Sequence, residues 1–351
     1  MTGQPRANPT FLYGAGRMGR EALVHCRAQG IEPRAFIDRA ARPGMRVDGI
    51  RVIAPDVAAS EVAGADVLVA LHSPGVDIAA VVRSLRTQPF ASISTLWAES
   101  ERTGWLPRSP FWLAPRFDWS GEEDAIARAR ALLVDDTSRR VFDQQIALRR
   151  HGAYDVLGAP TPDDQYTPRD LAPWRAPMHL LDCGAYDGDT IRSLRAGPHA
   201  IERFVALEPD AANFGRLAAS LSDDPTGLLV RAGAHSAKGR LSFSAGEGGA
   251  AHLDPTGGST IDVVRIDDLC VDFSPTLIKM DIEGAERDAL EGATGTILRD
   301  RPDLAISVYH RVDDLWRIAL QIDDLLPGYR FHLRSHAHNG FDTVLYAVAS
   351  R

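Results

Sequence analysis

Leu181-Asp182-Cys183-Gly184-Ala185-Tyr186-Asp187-Gly188-Asp189-Thr190 is the stretch on which the fold turns. The apolar run His179 to Leu181 reads as a strand, and Thr190 to Arg195 as the helix that follows it. A glycine-rich turn between them lets backbone N–H groups approach a ligand at the helix N-terminus. The spacing Asp-x-Gly-x-x-x-Gly departs from the dinucleotide pattern. It suits a loop that wraps the amino-acid and sulfonium end of S-adenosylmethionine without a close pyrophosphate contact. An acidic residue should then end the next strand and take the ribose hydroxyls, and Glu208, in Leu207-Glu208-Pro209-Asp210, stands there.

Working outward, further strands are expected at Phe204–Leu207, Leu228–Arg231, Thr276–Met280, Leu304–Val308, Arg330–Leu333 and Thr343–Val348, which makes seven. Helices fit at Ala211–Leu221, Ala285–Arg299 and Asp313–Leu325, and Arg240–Ser244 with Val263–Ile266 reads as an inserted hairpin. Lys279-Met280-Asp281-Ile282-Glu283-Gly284-Ala285-Glu286 runs from a buried-type strand into a helix. Alternation puts Lys279, Asp281 and Glu283 on one side at the strand's carboxyl end, where open parallel sheets hold ligands. An internal Lys279–carboxylate pair would explain part of this polarity; contact of Asp281 with the methionine moiety or an acceptor hydroxyl would explain the rest.

Before residue 102 the chain alternates short apolar runs with amphipathic segments: strands at Phe11–Tyr13, Arg34–Ile37, Val67–Leu71 and near Ile93, helices at Met18–Gln29 and Val76–Arg86. Gly14-Ala15-Gly16-Arg17-Met18-Gly19 follows the first strand and Asp38 ends the second, a dinucleotide-type fingerprint in its proper context. Gly14, Gly16, Gly19 and Asp38 are therefore nucleotide-binding candidates, although such glycines also serve plain strand-to-helix packing. Residues 103–120 are rich in proline and aromatics, and Trp105, Trp112 and Trp119 are expected to pack two domains together. Ser120 with Glu123 reads as a capping box opening a helix to Val134, and a second helix is expected over Ser138–Arg150. The proline-rich stretch from Pro160 to Pro177 reads as an ordered loop, in which Tyr166 is a candidate for the acceptor pocket.

The expected division is thus 1–101, a Rossmann-like domain; 102–176, a connector; and 177–351, a seven-stranded α/β domain. Composition agrees with two soluble cores: 44% hydrophobic and 25% charged residues over 351 positions. Residues 1–150 carry 20 basic and 17 acidic side chains, residues 151–351 carry 19 and 30, so the second half is acidic. That balance argues against a nucleic-acid partner, which needs clustered cations. No apolar run reaches the roughly 20 residues of a membrane span. Cys26, Cys183 and Cys270 are too scattered for a thiolate zinc site or a disulfide framework, which points to a reducing, cytoplasmic setting.

From about Val134 onward the chain resembles the FkbM family of S-adenosylmethionine-dependent methyltransferases. The resemblance rests on the loop at 182–190, Leu207-Glu208-Pro209-Asp210 with Asn213-Phe214, Arg265-Ile266-Asp267-Asp268-Leu269, the Lys279–Glu286 string, and Phe341-Asp342-Thr343-Val344-Leu345-Tyr346-Ala347. It implies a class I methyltransferase fold and methyl transfer to oxygen, commonly on sugars, glycans or polyketides. The first domain resembles the nucleotide-sugar-binding modules ahead of sugar acetyltransferases and lies outside the family pattern.

The function expected is transfer of a methyl group from S-adenosylmethionine to a hydroxyl of a small-molecule or glycan acceptor, leaving S-adenosylhomocysteine. Cofactor-binding candidates are Asp182, Cys183, Gly184, Ala185, Tyr186, Asp187, Gly188, Thr190, Glu208, Pro209, Asn213, Asp281 and Glu283. A hydroxyl must lose its proton as it attacks, so His310, His336 and Asp281 are catalytic candidates, with His338 behind them. Asp281, Glu283, Asp267 and Asp268 are oxygen ligands of the kind magnesium takes, but carboxylates are common, the sequence does not show that these converge, and no divalent metal is expected. The alternatives are a nicotinamide-dependent oxidoreductase run from the Gly14 turn, and a non-catalytic nucleotide-binding scaffold.

Overall fold

The computed structural model describes residues 8–171, 174–197, 200–221, 223–244, 252–253 and 258–350. They form two compact units interleaved along the chain: one from residues 1–118, 143–160 and 337–341, the other from 119–142, 161–336 and 342–351. Among the described residues no helix is long and apolar enough to cross a membrane.

In the first unit, β1 (Thr10–Tyr13), α1 (Arg17–Ala28), β2 (Ala35–Ile37), β3 (Arg46–Val47), β4 (Ile50–Ile53), α2 (Pro55–Ala58), β5 (Asp66–Val69), α3 (Ile78–Leu85), β6 (Ser92–Thr95) and α4 (Leu96–Thr103) follow in turn. The sheet order is β3-β4-β2-β1-β5-β6, parallel except for β3. β1 and β5 are buried along their whole length, as expected of central strands covered on both faces. The β3–β4 hairpin was not expected, yet its signal is present: Asp48-Gly49, both with positive φ (47° and 85°), form the two-residue turn such hairpins favour. The late segment 337–341 completes this unit. Asn339, at φ 60°, donates Nδ2 to the carbonyls of Ser73 (2.8 Å) and Val76 (2.6 Å) and accepts from the Ile78 N–H, at the start of α3.

The chain continues through α5 (Glu123–Leu132) and α6 (Asp136–His151) into the second unit. There β7 (Met178–Cys183), α7 (Asp189–Ala196), β8 (Ile201–Leu207), α8 (Ala211–Leu221), β9 (Gly227–Val230), β10 (Gly233–Ala234), β11 (Gly239–Ser244), β12 (His252–Leu253), β13 (Ser259–Val264) and α9 (Ile266–Leu269) precede β14 (Leu277–Met280). α10 (Glu286–Glu291), α11 (Thr294–Asp300), β15 (Asp303–Ser307), α12 (Asp314–Leu325), β16 (Arg330–Ser335) and β17 (Thr343–Val348) complete it. The main sheet has the order β16-β17-β15-β14-β7-β8-β9, with β17 antiparallel to both neighbours, and all seven expected strands are in it. β11 and β13 pair antiparallel, so the insertion is present, but its second strand lies at Ser259–Val264 and Ile266 already opens α9.

Several expectations are corrected. Ser120 is not the cap of α5. The helix begins at Glu123 with Glu122 before it, and the Glu122 carboxylate is drawn instead to the indole N–H of Trp316 (2.8 Å) and to Arg317. The single helix expected over 285–299 breaks into α10 and α11, because Asp267 accepts from the N–H groups of Gly295 (3.1 Å) and Thr296 (2.8 Å) and so caps a new helix start. Trp105 stacks on His25 and Trp112 sits against His72 and Tyr154 in the first unit, whereas Trp119 lies on Trp316 in the second. Within the loop from Pro160 to Pro177, Ala172 and Pro173 lie outside the described residues.

Candidate active site

The second unit's sheet changes winding direction between β7 and β14, and in open α/β sheets a ligand crevice opens at that point, beyond the carboxyl ends of the strands. Two neighbouring strand ends therefore build the site. β14 pairs with β7 so that Lys279 faces Asp182 and Met280 faces Cys183, and the Asp281 N–H bonds the Cys183 carbonyl at 3.1 Å.

Gly184 holds this junction together. It takes φ +83°, and a Cβ there would lie 2.0 Å from the Asp281 carbonyl oxygen, so only glycine lets the two strand ends meet. Asp182 and Cys183 are fully buried, which gives their side chains a supporting role beneath the turn. Asp182 pairs with Lys279 (3.0 Å), whose ammonium also donates to the Gly184 carbonyl (2.5 Å), so the buried cation joins β14 to the glycine turn. Burial pushes the Asp182 carboxyl up and opposes the charge on Lys279, but the carboxylates of Asp182 and Asp281 hold the Lys279 ammonium ionised, its pKa raised. Ala185 and Gly188 are buried, Tyr186 and Asp187 half-buried, and Thr190 sits in the first turn of α7.

Glu208 stands at the end of β8 and is 5% exposed. One carboxylate oxygen accepts from the Tyr186 N–H (2.9 Å) and the other from the Asp210 N–H (2.9 Å) and the Asn213 amide. Burial raises its pKa against these hydrogen bonds. A carboxylate has about four lone-pair positions, so acceptor capacity is left for a diol. Beside it Pro209, Asp210, Arg231, Arg240, Ile261 and Asp262 line a cleft of about 270 Å³.

Across the turn lies a histidine ringed by carboxylates. His310 follows β15; its Nδ1 is 2.8 Å from Glu286, and its Nε2 is 3.3 Å from Asp281 and 3.7 Å from Glu283. Burial works against a charge on the ring, but Glu286, Glu283 and Asp281 outweigh it and push the pKa up to about 10. Burial likewise lifts Glu283 to about 8 and Asp342 to about 6. The Asp281 side chain is 25% exposed and accepts long hydrogen bonds from Tyr166 and Tyr309, both 3.4 Å. The alternation expected through Glu283 fails: β14 ends at Met280 and Glu283 turns to φ +57°. Glu283 reaches the cluster through that turn.

The other candidates are placed elsewhere. His336 is engaged at both nitrogens, by the Asp163 carbonyl (3.1 Å) and the Tyr346 hydroxyl (2.6 Å), which leaves the ring no open lone pair for a substrate proton. His338 belongs to the first unit. Asp267 is spent on capping α11, and Asp268 is exposed beside it. Sequence reasoning gave Tyr309, Glu286 and Asp342 no place in the site, although Glu286 and Asp342 lie inside segments already singled out and Tyr309 directly precedes His310. In the first unit, Asp38 repeats the Glu208 arrangement: it accepts from the N–H of Ala15 in the glycine turn (2.8 Å) and of Ala40 (2.8 Å). Gly19 packs there against Gly14, whose carbonyl oxygen would lie 2.0 Å from a Cβ.

Residues 182–333 match the family model described as the methyltransferase FkbM domain. This region is similar to the FkbM methyltransferase domain. Over 97% of its length the chain is similar, with TM-score 0.77 and 24% identity, to 90% of the crystal structure of methyltransferase FkbM from Methylobacillus flagellatus KT. The second unit thus has the class I methyltransferase fold, as its strand order indicates. More distant likenesses are to precorrin-6y C5,15-methyltransferase of Geobacter metallireducens GS-15 (TM-score 0.31, 15% identity, 49% of this chain and 80% of that one). Another is to Aeropyrum pernix fibrillarin in complex with S-adenosyl-L-methionine (TM-score 0.31, 12% identity, 51% and 70%). No curated protein matches the sequence.

Proposed function

We propose that this methyltransferase moves the methyl group of S-adenosylmethionine to a hydroxyl oxygen of a sugar, glycan or polyketide-type acceptor. One observation carries the reading: the Gly184 turn, braced by Glu208, abuts Asp281, so a nucleoside grip and an acidic cluster share one strand-end junction. In this reading Glu208 takes the ribose hydroxyls, Pro209 and Asn213 flank the nucleoside, and the backbone from Gly184 to Gly188 wraps the methionine end. The acceptor oxygen approaches past Asp281, the most exposed member of the cluster in which His310 sits. The oxygen attacks the methyl carbon as the S–CH₃ bond breaks, and the hydroxyl proton leaves at that cluster; alignment supplies much of the rate.

Asp38 and the Gly14–Gly19 turn support a nucleotide as ligand of the first unit, since Asp38 reproduces the Glu208 geometry. A nicotinamide oxidoreductase is not favoured, because the family match falls on residues 182–333 and concerns methyl transfer. The test is calorimetric titration with S-adenosylhomocysteine and with NADH, followed by transfer of labelled methyl to hydroxylated sugars and polyketides. Micromolar binding of the homocysteine product and label in an ether linkage are expected. A response to NADH alone would reverse the reading.

A further inference from the structure

Tyr186 takes φ +49°, in the left-handed region, between Gly184 and Gly188 at φ +83° and +89°. Glycine adopts that conformation readily; a bulky aromatic residue there is an outlier, and such strain persists where the side chain has a use. The ring of Tyr186 has a partner that explains its retention. The guanidinium of Arg216 lies over it, 5.3 Å from the ring centroid, within reach of a cation–π contact.

Arg216 is exposed, yet its guanidinium folds back to make a second contact. It stands one turn after Asn213 on α8 and donates to the Asn213 side-chain oxygen. Asn213 is buried, and its Nδ2 donates to Glu208 Oε1 at 3.4 Å. Only this amide orientation satisfies both neighbours, since a guanidinium offers no acceptor and an ionised carboxylate no donor. The Asn213 backbone is fixed as well, because the Asp210 carboxylate accepts from the N–H groups of Ala212 and Asn213 (both 2.9 Å). Two arms therefore converge on Glu208 from one arginine. Tyr186 donates its N–H to Oε2 (2.9 Å), and Asn213 serves Oε1.

We propose that Arg216 is a positioning residue for the cofactor: by bracing Tyr186 and Asn213 it holds the Glu208 carboxylate in the orientation that takes a ribose diol. This inference rests on the methyl-transfer reading for the identity of that ribose. Arg216 acts through Glu208, so its effect on binding disappears where Glu208 is absent.

The test is calorimetric titration of S-adenosylhomocysteine into full-length wild-type protein, Arg216→Ala, Glu208→Ala and the double variant. Arg216→Ala should weaken binding about 10-fold in the wild-type background and by less than about 2-fold in the Glu208→Ala background. A residue that only stabilises the fold would cost the same in both. A second measurement needs no nucleoside: hydrogen exchange at the Tyr186 amide, followed by NMR, should quicken at least about 5-fold in Arg216→Ala while the amides of β14 keep their rates. Unchanged affinity in Arg216→Ala, an equal loss in both backgrounds, or an unaltered Tyr186 exchange rate would each overturn the role of Arg216. Wild-type protein that ignores S-adenosylhomocysteine, with Tyr186 exchange still responding to Arg216→Ala, would instead overturn the methyl-transfer reading and leave the brace standing.

Discussion

Glu208 is the residue whose role can be tested most directly. Its carboxylate is already aimed by two backbone N–H groups, so replacement by alanine removes the hydrogen bonds to a ribose without disturbing the strand that carries it. Each charge-assisted hydrogen bond is worth about 1.5–3 kcal/mol, so Glu208→Ala should weaken S-adenosylhomocysteine about 100-fold by calorimetry; an unchanged Kd would remove Glu208 from the cofactor site. Lys279 presents the opposite case, a residue expected to matter through burial. Lys279→Met strands Asp182 without its cation, and breaking such a pair costs about 3–5 kcal/mol. The double variant Asp182→Leu/Lys279→Met should recover much of that in urea unfolding, and no recovery would show that the pair is not the cause. The positions of Glu208 and Asp182 at neighbouring strand ends were legible because a strand, a turn and an acidic strand end occur at fixed spacing, whereas the burial of Asp182 against Lys279 was not part of its reading as a cofactor ligand. The cluster was legible only in part. Asp281, Glu283 and His310 stood out as polar residues at strand ends, but the engagement of both His336 nitrogens depends on Tyr346 and the Asp163 carbonyl, which only folding brings together.

At the scale of elements, β5 ends beside His72, which is 7% exposed, donates its Nε2–H to the Pro110 carbonyl (3.0 Å), and is surrounded by Phe111, Trp112 and Phe341. Burial lowers its pKa from 6.5 to about 4. Above pH 6.5 the ring is neutral in folded and unfolded chains and costs nothing. As pH falls from 6.5 towards 4 the unfolded chain takes up a proton that the native state refuses, so stability drops, by about 3 kcal/mol over that window. His72→Phe should lack this component; wild-type and variant stability curves that stay parallel from pH 7 to 4 would count against it. The break between α10 and α11 is a second element-scale feature. Asp267→Ala should cost about 0.5–2 kcal/mol through loss of the cap, with S-adenosylhomocysteine affinity unchanged. The sequence reading joined those two helices because the residue that separates them lies some 28 positions upstream of Gly295. Hydrophobic periodicity registers a face, and a cap supplied from afar leaves no trace in it.

For the whole molecule, the strands and their order were readable while the partition of the chain was not. Short apolar runs mark strands locally, but α5 and the first part of α6 belong with the seven-stranded sheet of the second unit. Leu133 bridges to Phe331, and Asp135 meets His332 (2.7 Å) and Arg334 (3.3 Å). A fragment starting at Pro177 therefore lacks partners for β16 and for Trp316, and should melt well below a fragment starting at Trp119. Equal melting temperatures by circular dichroism would show these contacts to be dispensable.

The loop between β16 and β17 gives five residues to the opposite unit, and Asn339 among them fixes the start of α3. Domains made first on the ribosome commonly fold first. Here the sheet made earlier must wait for residues 337–341 before α3 receives its anchor, so both halves should reach their protease-resistant form together, once those residues have been added.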